Sequence, residues 1–74
     1  MSQFPLVSGK TAIKAFEKIG YCVVWQRGSH IRMHHQIKRP ITVPNHKVLG
    51  KGLLKKLLRD TELSVADFVK LLKG

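Results

Sequence analysis

Acidic residues are the scarcest class in this chain, four Asp+Glu against fourteen Lys+Arg, giving a formal net charge of +10. So lopsided a balance exceeds what solubility needs and points to a polyanionic partner, nucleic acid before an acidic protein. Cysteine occurs once, as Cys22, so no internal disulfide forms; its place inside an expected strand makes it a small buried hydrophobe. No apolar run approaches the roughly 18 residues of a membrane span, and no cationic start leads into an apolar signal core, so a cytoplasmic location is expected. At 74 residues the chain is one domain, 1–74, with a single core and no room for a deep pocket around a large organic cofactor. No cofactor is expected. Hydrophobic residues at 43% and charged residues at 24% are a globular balance rather than that of a disordered segment.

The pattern along the chain reads as an α+β fold. Met1 to Val7, with Pro5, has no period and forms an irregular lead-in from which Phe4 and Leu6 can pack onto the domain. Ser8 is an N-cap for a helix over Gly9 to Ile19, whose Ala12, Ile13, Phe16 and Ile19 repeat at helical spacing and which Gly20 ends. Tyr21 to Gln26 and His30 to His35 are two strands of a hairpin turning at Gly28, and Ile41 to Val43 is a third strand, at an edge because Pro40 precedes it. Gly50 and Gly52 bracket the loop into a second helix that carries Leu53, Leu54, Leu57 and Leu58 on one stripe and Lys51, Lys55 and Arg59 on another. Ser64 to Asp67 resembles a capping box and opens a short last helix with Val65, Phe68, Val69 and Leu72 on its apolar face. The expected order is helix, three-stranded antiparallel meander, helix and terminal helix, with Phe16, Ile19, Val24, Leu54 and Leu57 in one core. Strand aromatics of a small domain belong to the core, so Tyr21 and Trp25 are assigned there rather than to base stacking.

The chemistry concentrates in the turn Gln26-Arg27-Gly28-Ser29-His30. His30 opens the second strand and shares a face with Arg32 and His34. An imidazole takes or gives a proton near neutral pH, and beside arginines it suits work on phosphate. On RNA the proton to be moved is that of the ribose 2′-hydroxyl, whose attack on the adjacent phosphorus needs a positioned base, an acid and cations. Phosphate contacts are assigned to Arg27, Arg32, Lys38, Arg39, Lys47 and Lys51, with Gly28 and Ser29 shaping the turn. No metal site is expected, because His30, His34, His35 and His46 have neither cysteine partners nor the i, i+4 spacing of a helical zinc pair. His35 is expected to be structural or exposed.

Five elements taken together, Ser8-Gly9-Lys10, Gly20-Tyr21, Arg27-Gly28-Ser29-His30, Val43-Pro44-Asn45-His46 and Gly52-Leu53 followed by Leu57-Leu58, resemble the HicA toxins of bacterial toxin–antitoxin systems. The resemblance runs through nearly the whole chain. It implies a double-stranded-RNA-binding-domain-like α-β-β-β-α fold and translation-independent cleavage of mRNA. It also implies a catalytic histidine at His30 and a HicB antitoxin that covers the active site. Where the family carries a bulky hydrophobe late in the second strand, this chain has His34-His35. A non-catalytic RNA-binding module and an adaptor for an acidic protein are the alternatives; a shape-reading binder needs cations along its grooves but no titrating group.

Overall fold

A serine oxygen starts the first helix: Ser8, in extended backbone, accepts from the Thr11 amide at 3.1 Å, satisfying one of the amides the first turn leaves without a partner. The computed structural model describes residues 4–74, so the first three residues of the expected lead-in lie outside the described residues. Phe4 packs partly against the core, whereas Leu6 stays exposed. The order is α1 (Gly9–Glu17), β1 (Cys22–Arg27), β2 (His30–His34), β3 (Ile41–Pro44), α2 (Lys51–Thr61) and α3 (Val65–Lys73). This is the expected α+β arrangement, with a three-stranded antiparallel sheet in the order β1-β2-β3. Gly20, at φ 103°, turns the chain out of α1 toward β1.

The core lies between the three helices and one face of the sheet. Ala12, Ile13, Ala15 and Phe16 of α1 bury the stripe their spacing defines. Alternate residues Ile31, Met33, Ile41 and Val43 bury the inner face of β2 and β3. Leu54, Leu57 and Leu58 of α2 and Phe68 of α3 complete it, with Phe68 stacked at 5.5 Å on Phe16. Of the expected α3 face only Phe68 is fully buried. Tyr21 is buried edge-on to Phe16 and its hydroxyl donates to the Arg39 carbonyl at 2.8 Å. Thr61, the polar member of the core, donates to Leu57 and Leu58 carbonyls, as a buried hydroxyl must.

Three expectations fail here. Gly52 sits in the first turn of α2 rather than in the loop, since the Leu54 amide already closes on the Gly50 carbonyl at 2.9 Å. Cys22 is exposed, not buried. Val24 and Trp25 are exposed as well, because α1 and α2 pack over β3 and not over β1, which is open to solvent along its whole length. The face on which Trp25 lies is set by a β-bulge between Val23 and Trp25. Val23 pairs with the inward Met33, but Val24 is an extra residue, so Trp25 pairs with Arg32 and Arg27 with His30. One inserted residue reverses the inward and outward alternation of everything after it. Without it Trp25 would point toward the helices.

Candidate active site

His30 begins β2 directly after a two-residue turn, Gly28-Ser29, in which Gly28 takes φ 56° and its carbonyl accepts from Gln26 Nε2 at 3.0 Å. A side chain at that φ would be strained, and glycine is not. Arg27 is the cross-strand partner of His30, which sets the guanidinium and the imidazole side by side on the outer face. Two residues further on, Arg32 occupies the same face, tied by Nη1 to the Thr42 hydroxyl of β3 at 2.9 Å. His30, Arg32 and His34 alternate outward against the buried Ile31 and Met33.

Two other stretches, remote in sequence, are bonded to this turn. The Asn45 amide donates to the Ser29 carbonyl at 2.6 Å, and the Gly9 amide donates to the His46 carbonyl at 2.9 Å. The turn, the loop after β3 and the start of α1 therefore meet at one end of the sheet. A Cβ on Gly9 would fall on the Pro44 carbonyl oxygen, with Asn45 Cα at 3.1 Å, so only glycine lets the helix approach so closely. That end carries Lys10, Asn45, His46 and Lys47, all exposed, and the positive end of the α1 dipole, whose first turn holds no acidic residue. Lys10, Asn45 and His46 were not among the residues assigned to the site; their signal was their place in the motifs that carry the family resemblance.

Two of the remaining assigned cations are elsewhere. Lys38 and Arg39 lie in the β2–β3 loop, at the end of the sheet away from His30. There Lys38 faces Glu62 at 3.7 Å and Arg39 receives the Tyr21 hydroxyl. Lys51 opens α2 with its ammonium 5.5 Å from the Phe4 ring, as does Lys55. Burial pushes the Tyr21 phenol above its ordinary value, reinforced by Asp60 and Glu62, so it stays neutral and serves packing. His35 is structural. Its Nδ1 accepts from the amides of Ile37 and Lys38 at 3.0 and 3.1 Å, which assigns the proton to Nε2 and makes it the donor to the Ile19 carbonyl at 2.8 Å. Among the described residues no three His, Cys, Asp or Glu side chains converge as a metal site would require. An open hollow lined by Gly20, Cys22, His34, His35 and Gln36 lies at the far end from His30. A backbone phosphate is met on a basic surface rather than in a cavity, so the convergent end is the stronger site.

A small basic α+β domain that presents a histidine and an arginine on the open face of its sheet is the class these features define. Residues 9–63 match the family described as HicA toxin of bacterial toxin-antitoxin, and the chain belongs to that family. It is thus the toxin of a toxin–antitoxin pair. Comparisons with curated proteins and with solved structures found no match. Among the described residues no helix is long and apolar enough to cross a membrane.

Proposed function

We propose that this toxin is a metal-independent endoribonuclease that cuts mRNA in the cytoplasm without the ribosome, with His30 as the proton-transfer residue. In the reaction the ribose 2′-oxygen bonds to the adjacent phosphorus while the bond to the 5′-oxygen of the next nucleotide breaks. The 2′-hydroxyl gives up its proton and the departing oxygen takes one, and His30 performs one of these transfers. Arg27 and Arg32 bear the charge that develops on the phosphate, Gly28 and Ser29 keep the turn open beside it, and Lys47 holds the strand. None of these steps calls for a metal-bound water. The observation that carries the reading is the pairing of Arg27 with His30 on the exposed face, where three remote segments meet. Its partner is a HicB-like antitoxin, whose acidic surface covers this end and blocks substrate.

One observation favours a non-catalytic RNA-binding module: the His30 imidazole has no hydrogen-bond partner among the described residues to fix its tautomer. The same experiment decides between the two. His30→Ala removes a group worth about 10²–10⁴ in rate but no fixed positive charge, so the variant should bind RNA and fold as the parent does while cleavage nearly vanishes. Parental cleavage should persist in excess EDTA and leave a 2′,3′-cyclic phosphate. EDTA-sensitive cutting, or His30→Ala cutting at the parental rate, sinks the mechanism, and a parent that binds RNA but never cuts it establishes the binding module.

A further inference from the structure

The one tryptophan of the chain is 43% exposed, and the bulge that turns it outward sets it on the face that carries His30. Trp25 pairs with Arg32, and His30 lies two residues along β2 from that partner, a diagonal separation of about 7–8 Å. The Arg27 guanidinium lies over the indole, 5.2 Å from its centroid. With Val23 and Val24 the indole forms a contiguous exposed apolar strip beside the site, and a contiguous strip, unlike a single exposed side chain, marks a binding surface. We infer that Trp25 is a stacking platform for an unpaired base next to the scissile phosphate, so that the substrate is single-stranded RNA despite a fold resembling double-stranded-RNA binders. The inference rests on the ribonuclease reading and deepens it.

The surroundings of the ring select this ligand. Arg27 and Arg32 crowd the same face, with the polar His34 beyond them, and an apolar protein surface laid on the indole would desolvate the two guanidinium groups without pairing them. A nucleotide satisfies both halves: its base takes the ring and its phosphate takes the guanidinium. A duplex does not, because its bases are stacked on each other and present only edges, and binders of duplex RNA read groove shape instead. Stacking tolerates any base, so Trp25 positions the strand and makes single-strandedness, rather than sequence, the first requirement.

Because the tryptophan is unique, its fluorescence reports this contact directly. The probe is a 2′-O-methyl oligoribonucleotide, which lacks the attacking hydroxyl, offered to the intact toxin as a single strand and as a duplex of the same sequence. The single strand should quench the indole and the duplex should not. Trp25→Ala should bind the single strand roughly 5- to 150-fold more weakly and keep its duplex affinity, while Trp25→Phe should restore most of the loss. Equal quenching by both forms, or a Trp25→Ala variant with undiminished single-strand affinity, overturns the inference. Should that variant keep RNA binding but lose affinity for an acidic antitoxin, the ring belongs to a protein interface and the inference falls. The ribonuclease reading is separated by natural RNA: cleavage without indole quenching sinks the stacking alone, and quenching without cleavage sinks the nuclease and leaves Trp25 a binding platform. No RNA binding in either form sinks both.

Discussion

Replacing Gly9 by alanine sets two physical effects of opposite sign against each other. In a helix, alanine is better than glycine by about 0.5–1 kcal/mol, because glycine has more backbone freedom to lose. In this fold the new methyl would land on the Pro44 carbonyl oxygen, with the Pro44 carbonyl carbon at 3.0 Å and Asn45 Cα at 3.1 Å. These are backbone atoms, so no rotamer change relieves the overlap; α1 and the loop after β3 must separate. Forced overpacking costs about 1–3 kcal/mol, and the separation weakens the Gly9 amide bond to His46, worth about 0.5–1.5 kcal/mol. The net expectation is a loss of about 1–3 kcal/mol, read in urea as a midpoint lowered by roughly 1 M. Gly52→Ala is the control, since that glycine lies in the first turn of α2 with open space where its Cβ would go. It should gain stability by up to about 1 kcal/mol. Because the Gly9 loop is bonded to Ser29 beside His30, Gly9→Ala should also slow cleavage under conditions where the variant is fully folded. A Gly9→Ala midpoint equal to or above the parent's refutes the reasoning, and helix propensity alone would then have governed the site.

Leu57→Ala, at a position 3% exposed, should lose about 2–5 kcal/mol in urea unfolding; a loss under about 0.5 kcal/mol would mean the core is not where it is drawn. Lys47→Ala and Arg27→Ala should slow cleavage, while Lys38→Ala, at the other end of the sheet, should leave it unchanged in a single-turnover assay. Each phosphate held on a single strand adds about −0.7 to the slope of log K against log salt, so Lys51→Ala combined with Lys55→Ala should flatten that slope, and an unchanged slope removes α2 from the binding surface. The phenol of Tyr21, the one tyrosine, should titrate in ultraviolet difference spectra above its ordinary 10.0. Its raised value favours the folded state below that pH, so stability should fall as pH climbs past it, and a Tyr21→Phe variant should lack this alkaline loss.

Most of the fold was legible in the sequence because its boundaries are set by local chemistry. Ser8 and Ser64 cap the helices they precede, accepting from Thr11 and Asp67, and Gly20 and Gly28 take the positive φ that ends α1 and turns the hairpin. The outward alternation of His30, Arg32 and His34 was equally readable, since β2 keeps a strict period of two. What the pattern does not encode is the bulge at Val24, because nothing local distinguishes an extra residue from a paired one. The apolar run from Val23 to Trp25 therefore looks like buried strand, while pairing with β2 leaves it at the edge with Trp25 outward. Cys22 lies before the bulge, opposite the outward His34, and its exposure has another origin: burial depends on whether a helix covers that face, which the strand pattern does not state. Lys38 and Arg39 were grouped with the site on charge alone, and only the register of β2 with β3 reveals that they sit at its other end.

The free edge of β1 bears on how the toxin behaves in solution. Among the described residues its outer backbone amides and carbonyls have no partner strand, and Val23, Val24 and Trp25 line it with apolar surface, the combination that joins sheets of separate molecules edge to edge. Two such molecules repel each other through +10 charges, a barrier that fades beyond roughly 8 Å at physiological salt. Charge is then what opposes edge-to-edge association of the free toxin. Any polyanion that neutralises the surface without covering β1 removes the barrier and leaves the edge open to self-association. An acidic partner that shields the strand as it neutralises keeps the pair in solution.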